Sequence, residues 1–441
     1  MANMRRYGVF AAVAASSALL LAACSSGGDD DKSPAASGGA TGSDKAPVTI
    51  TWWHNATADP ALGFWQTVAD EFEALNPHVT VKVEGIQNED LQRTRIPVAL
   101  QSGEAPDLFQ QWGGGEMVAQ VADGYLKDLT GLVDDDVARL GGSVAPWQVD
   151  GKTYGLPYQF GPEGIWYRPS LFEQAGIDGT PETLSELSDA VQKLKDAGIE
   201  PIAVGAASGW PAAHWWYNFA LQSCPSDVMQ AANSTLDFTD ECFVTAGEKL
   251  AEFIATEPFN TGFAATSAQE GATSSAGLVA NGNAAMELMG QWNVSVMTGL
   301  VDDPDALLAD LSWFPFPSID GAKGDPTAML GGGDGFSCYV DAPDECVDLL
   351  KYITSDDVLS RFAAEVGGIP SAPAAQGAVT DPNLKVIAEY MGKSNYLQLW
   401  LDTSYGPTVG GQMNDAIIQL FAGSAAPADI PAAMIAAAES L

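Results

Sequence analysis

Val48-Thr-Ile-Thr-Trp-Trp53 is a run of β-branched and aromatic residues and reads as a strand. Leu62, Trp65, Val68, Ala69, Phe72 and Leu75 then follow at three- and four-residue steps, one face of an amphipathic helix. Asn76-Pro77 stops that helix, because proline pushes its predecessor out of the helical region. Val79-Thr-Val-Lys-Val83 is a second strand, and a helical stretch from about Glu89 to Gln101 leads to a third at Asp107-Leu-Phe109. Alternation of this kind is the signature of a parallel α/β sheet with right-handed crossovers. Trp52, Trp53, Trp65 and Phe72 are assigned to its core by periodicity alone. A second α/β unit begins after Tyr154-Gly-Leu-Pro157: Ile165-Trp-Tyr-Arg168 is extended, Thr180 caps a helix running to Gly198, and Pro201-Ile-Ala-Val-Gly205 is again a strand. Pro/Gly breaks near 157, 315 and 370 divide the two regions.

The 441 residues carry 57 Asp+Glu against 19 Lys+Arg, a formal net charge of −38, with 46% hydrophobic residues. That length and apolar content predict two lobes, each with its own core. Nucleic acid is excluded as a partner, since phosphate neutralisation needs clustered Lys and Arg. A polybasic grip on anionic lipid fails for the same reason.

Arg5 and Arg6 precede a small, apolar run from Val9 to Ala23, ending Leu21-Ala22-Ala23-Cys24. A charged start, a short apolar stretch and small residues before the cut mark residues 1–23 as a secretory signal. At roughly 15 residues the run is too short to span a bilayer. A Cys directly after Leu-Ala-Ala looks like a bacterial lipobox, so Cys24 is expected to carry lipid and hold the exported chain on the outer face of the cell membrane. Residues 24–46, rich in Gly, Ser and Asp, read as a flexible tether. The remaining Cys224, Cys242, Cys338 and Cys346 are an even set in an oxidising compartment, which favours two disulfides. Four cysteines allow three pairings. Local pairing, 224 with 242 and 338 with 346, is the expectation, because each bond would staple a short loop. With three His in the chain and no Cys/His cluster at zinc spacing, neither a metal nor a cofactor is expected.

Beyond the lipobox, several motifs occur in order: Ile50-Thr-Trp-Trp-His-Asn55, Glu71-Phe-Glu-Ala-Leu-Asn-Pro77, Ser102-Gly-Glu-Ala-Pro-Asp-Leu-Phe109, Tyr154-Gly-Leu-Pro-Tyr158 and Gly331-Gly-Gly-Asp-Gly-Phe336. Together they resemble the extracellular solute-binding lipoproteins of carbohydrate ABC importers, of the family 1 type, over essentially the whole mature chain. The nearest group is that of xylobiose and xylo-oligosaccharide receptors, suggested by Trp52-Trp-His-Asn55, Phe109-Gln-Gln-Trp-Gly-Gly-Gly-Glu116 and Gly331-Gly-Gly-Asp-Gly-Phe-Ser-Cys338. Gln159-Phe-Gly-Pro-Glu-Gly164 and Trp400-Leu-Asp-Thr-Ser-Tyr-Gly406 depart from that group's pattern. The resemblance implies an α/β, two-lobe periplasmic-binding-protein-like fold, each lobe a sheet flanked by helices, with three hinge crossings. On the breaks above, lobe 1 is 47–158 plus 311–367, and lobe 2 is 159–310 plus 368–441. It also implies a monomer that captures a short oligosaccharide between closing lobes and delivers it to ABC permease subunits. Cellobiose, chitobiose and maltose-type sugars are the alternative ligands.

A neutral saccharide needs aromatic planes for its C–H faces and a few fixed donors and acceptors for its hydroxyls. Trp112 and Gly113 follow a strand end, where open α/β sheets bind ligands, and the glycines let backbone approach. His54 and Asn55 follow the first strand, and Gln87 and Asn88 the second. Gly332, Gly333 and Asp334 read as a ligand-side loop whose carboxylate could accept two hydroxyls. Trp292 corresponds, through the resemblance, to an aromatic that stacks on sugar. Tyr158, Trp216, Asp402 and Tyr405 complete the set, with Trp215 and Trp400 behind them. Glu163 either binds sugar or tethers the lobes, and Asp107 is read as structural.

An enzyme would need other features. A glycosidase wants two carboxylates flanking the cleft, which so acidic a chain could supply. No G-x-S-x-G elbow or H-E-x-x-H motif is present, however. A surface lectin would bind polymer without closing. The reading favoured over both is a non-catalytic receptor.

Overall fold

The computed structural model describes residues 45–441. The signal 1–23, Cys24 and all but the end of the tether lie outside the described residues. Eleven strands are described: β1 Val48–His54, β2 Val79–Gly85, β3 Leu108–Gln111, β4 Gln148–Val149, β5 Lys152–Thr153, β6 Leu156–Tyr167, β7 Glu200–Ala203, β8 Ala284–Gly290, β9 Ser312–Phe314, β10 Met329–Cys338 and β11 Leu397–Leu399. One continuous sheet runs β2-β1-β3-β10-β6-β8-β7, with β11 on β10 and β9 on β6.

The first three strands pair parallel, as strand–helix alternation requires. The intervening helix, Ala61–Leu75, buries Phe64, Trp65, Val68, Ala69 and Phe72. Leu62 and Leu75, expected on that face, are instead exposed. Trp53, expected in the core, is half-buried and carries the Arg95 guanidinium 4.8 Å from its ring centroid. Asp107 is structural: its carboxylate accepts from the Thr51 amide and hydroxyl, both at 2.8 Å, tying β1 to the start of β3.

The fold departs from a purely parallel plan at β6 and β10, which pair antiparallel with each other and with most of their neighbours. Both strands are long and pass between two hydrophobic cores. β6 sends Leu156 and Tyr158 into a core built on Ile50, Trp52, Leu108 and Leu350, and Ile165 into one built on Ile202, Trp216, Met286 and Ile417. β10 sends Phe336 into the first core and Leu330 into the second. A third group of buried residues, including Trp166, Met289 and Trp313, extends the second. The passage of the chain lies in β10 rather than at Pro315. Leu311, Trp313, Phe314 and Ile319 pack with the second and third groups, and Phe316 wedges edge-on against Trp215 and Phe219. Residues 311–330 are therefore placed with the half expected to be lobe 2. The segment around Ile369 packs with the third group, while Ala372 and Ala375 return to the first.

Two local differences have clear causes. The helix expected from Thr180 starts later, at Leu184, with Thr183 as its cap. Residues before it are held extended by hydrogen bonds between the backbones of Glu182, Leu184 and Ser318. The helix Trp210–Ser223 is buried on nearly all sides at the centre of the second core, most of it apolar and one face carrying His214 and Asn218. Cys224 is bonded to Cys242 and Cys338 to Cys346, the local pairing. Among the described residues no helix is long and apolar enough to cross a membrane, and no group of His, Cys, Asp or Glu is placed to hold a metal ion.

Candidate functional site

Between the two cores lies a cleft of about 950 Å³, counting the space that opens to solvent. Asn55, Asn88, Trp112, Tyr158, Trp292, Asp334 and Asp402 all line it, and so do Trp400 and Gln159. Sequence reasoning did not single out Gln92, Trp210, His214, Gln269, Ser295, Phe362 or Thr403, which line it too, and it placed Trp65 in the core, whereas Trp65 also borders the cleft.

The polar centre on the first wall is Asp334, 8% exposed, in the middle of β10. Gln110 and Gln159 donate their side-chain amides to its two oxygens, at 2.8 and 2.6 Å. Burial pushes its carboxyl up to about 6, against the pull of its hydrogen-bond donors. An ionised carboxylate offers about four lone-pair sites, so with two amides bound about two remain for ligand hydroxyls. Gln159 is fixed in turn: its carbonyl accepts from Gln291 at 3.0 Å, and Gln291 accepts from the Ile369 amide at 3.0 Å. Nearby, Asn55 donates to Asn88 at 3.1 Å, a pair set by the ends of β1 and β2.

The opposite wall is aromatic. Trp292, half-buried, meets Trp400 edge-on with centroids 5.6 Å apart, and Trp400 stacks on His214. Trp210 lies 6.4 Å from Trp292 and donates its indole N–H to Glu89 across the cleft. A second bridge joins the walls where Arg93 donates to Asp402 at 2.7 Å. Burial opposes the Arg93 charge, but Asp402 and Glu116 outweigh it and raise the guanidinium above its ordinary range. Asp402 also accepts from Asn414 at 3.2 Å and from the Thr403 amide at 2.8 Å, so its carboxylate serves mainly to join the halves.

Several expected site residues lie elsewhere, each for a physical reason. His54 is fully buried against Trp52, and burial lowers its imidazole to about 3; its Nδ1 accepts from the Ala56 amide. It therefore buttresses the turn after β1 as a neutral ring. Gln87 caps the short helix Asn88–Asp90 by accepting from the Asp90 amide. Gly113 faces Pro146 rather than the cleft. Trp216 stacks near Phe243 and Trp215 on Phe253, so neither of the adjacent pair reaches the opening. Tyr405 packs against Phe238 inside the second core. Gly332 and Gly333 are in strand β10, not a loop, and a Cβ on Gly332 would sit 2.2 Å from the Trp400 indole nitrogen. That glycine lets Trp400 lie directly on the strand. Glu163 is buried and does not line the cleft, but accepts from His214, which does.

Residues 57–359 match the family model described as bacterial extracellular solute-binding protein. Among curated relatives, an uncharacterized ABC transporter extracellular-binding protein of Pyrococcus horikoshii is 26% identical over 250 residues, 55% of this chain and 54% of that protein. The multiple sugar-binding protein of Streptococcus mutans is 24% identical over 221 residues, 48% of each. The chain thus spans about half the length of the curated relatives it matches. Among solved structures, one reported under xylan utilization by the thermophilic bacterium Caldanaerobius polysaccharolyticus aligns with a TM-score of 0.80 and 26% identity, covering 88% of this chain and 98% of that one. A chitin oligosaccharide binding protein aligns with the same TM-score of 0.80 at 22% identity, over 89% and 98%.

Proposed function

The chain belongs to the bacterial extracellular solute-binding proteins, and from that premise we propose that it is the receptor of a carbohydrate ABC importer. The observation that carries the reading is the cleft itself: Trp112 and Asp334 on one wall face Trp210, Trp292 and Trp400 on the other. Flat indoles suit the C–H faces of sugar rings, while Asp334, Asn55, Asn88 and Gln159 supply fixed polar edges. Among the described residues no Lys or Arg lines the cleft, and nearby Arg93 is engaged by Asp402, so a neutral ligand is favoured over an anionic one. The family is one of binding proteins, not enzymes, and the two carboxylates of the cleft act as acceptors and ties.

Xylobiose or a longer xylo-oligosaccharide is the favoured ligand. The sequence resemblance supports it, and so does the 26% identity with the structure reported under xylan utilization. In the mechanism we draw, the two cores are two lobes and the three crossings are β6, β10 and the segment around Ile369. Only the closed form contacts sugar from both sides, so sugar selects closure. The closed complex then docks on the permease as a monomer. Lipid on Cys24 keeps the receptor beside that partner and raises its effective concentration. Replacing Cys24 by Ser releases a functional binder into the medium; retention at the membrane argues against the anchor.

The deciding experiment is calorimetry on the compact unit Asp44–Leu441 with xylobiose, xylotriose, cellobiose, maltose and chitobiose, followed by an assay for new reducing ends. One-to-one binding of xylobiose without cleavage is expected. Binding of none of the five overturns the sugar reading, and cleavage overturns the receptor reading.

A further inference from the structure

His214 lies in the middle of the buried helix Trp210–Ser223, is 4% exposed, and lines the cleft. Its Nδ1 is 2.8 Å from Oε2 of Glu163. Glu163 is 1% exposed on β6, and its other oxygen accepts the Asn218 amide at 2.5 Å. Asn218 also donates to the His214 carbonyl at 3.0 Å, locking the acid and the helix together. The ring cannot turn away, because Trp400 covers one face at 4.7 Å and Trp210 and Tyr217 crowd it at 5.0 and 5.3 Å.

An ionised carboxylate only accepts, so the ring nitrogen facing Glu163 must carry the hydrogen. In a neutral imidazole the other nitrogen is then an acceptor. Among the described residues nothing hydrogen-bonds to His214 Nε2. We propose that His214 reads a ligand hydroxyl: Glu163 holds it as the Nδ1–H tautomer, and the Nε2 lone pair accepts an O–H donor of the sugar at the edge of the Trp400 plane. The proposal rests on the receptor reading and adds to it a specificity-determining residue with Glu163 as its positioning residue. A site built to accept a hydroxyl discriminates strongly against ligands that lack one, because the buried acceptor is left unpaired. Glu163 gains a purpose by the same argument, since a buried charge without such partners would be costly.

The test uses the fact that the chain has only three His. Protein with ¹⁵N-labelled His is recorded at about pH 8, and the signals missing from His214→Gln are assigned to His214. The unliganded protein is expected to show a protonated Nδ1 and an unprotonated Nε2. Xylobiose should shift Nε2 of His214, and His214→Ala should weaken xylobiose binding about tenfold or more. Glu163→Gln should admit the Nε2–H tautomer and lower affinity, whereas a purely structural Glu163 would leave the tautomer unchanged. An Nε2–H or doubly protonated ring in the free protein overturns the inference without need of any variant. Xylobiose that binds without moving Nε2, or binds His214→Ala as tightly as wild type, overturns it while sparing the receptor reading. Failure of wild type to bind any of the five sugars overturns both.

Discussion

The Trp400 indole lies flat on the His214 imidazole, 4.7 Å between ring centroids and 7° from parallel. That contact exists because position 332 carries no side chain. A Cβ there would sit 2.2 Å from the Trp400 nitrogen, so Gly332→Ala must push the indole off β10 and off His214. The variant is expected to lose roughly 1–3 kcal/mol of stability, the usual cost of overpacking. It should also bind sugar more weakly; urea denaturation and calorimetry measure the two losses.

Trp292 and Trp216 should separate binding from folding. Trp292 is half-buried and edges the cleft, so Trp292→Ala should weaken xylobiose binding by about tenfold to a hundredfold while shifting the melting temperature little. Trp216 is wholly buried away from the cleft, so Trp216→Ala should cost about 3–5 kcal/mol of stability. Equal loss of affinity in both variants would count against the placement of the site.

Asp334 makes affinity depend on pH. Its carboxyl is pushed up to about 6 by burial, so its capacity to accept a hydroxyl grows as pH rises through that value. Sugar affinity should rise between pH 5 and 7, and in Asp334→Asn the slope should vanish at a lower affinity. Titrations across that range with xylobiose check this, and an unchanged slope in the variant would exclude Asp334 as its source.

Glu287 makes stability depend on pH in a second window. Burial raises its carboxyl to about 8; Asn293 donates to one oxygen at 2.8 Å, and among the described residues the other has no hydrogen-bond partner. The folded protein therefore holds a proton that the unfolded chain releases near 4.5. The associated stability is complete below about 4.5 and is lost as pH rises through about 8, on the order of a few kcal/mol. Glu287→Gln lacks the titration, so its melting temperature relative to wild type should climb from pH 5 to pH 9.

The first strand–helix–strand unit was legible because its periods are clean and its strands pair parallel. The crossings were not. The break read near 157 lies within β6, which also runs through Gly161, Pro162 and Gly164 and has different neighbours along its length: β10 beside Pro157 to Pro162, β8 and β9 further on. Gly332, Gly333 and Asp334 read as a loop, whereas at the two glycines bare backbone is what close packing of β6, Trp147 and Trp400 against β10 requires. At the site, strand-end residues such as Asn55, Asn88 and Trp112 could be found from topology. His214 could not, because it sits in a mostly apolar, almost fully buried helix. The one available signal was spacing: Trp210, His214 and Asn218 recur every four residues on one face, and that face carries the polar contacts of the helix.

The strands shared by the two cores bear on how the molecule melts. β6 and β10 hydrogen-bond to each other over residues contributed to both halves, so neither half can lose its order without stripping the other of a central strand. A chain joined only by loops would unfold in two steps, one for each half. This one has no seam of that kind, and it should absorb heat in a single cooperative peak, with calorimetric and van't Hoff enthalpies in agreement.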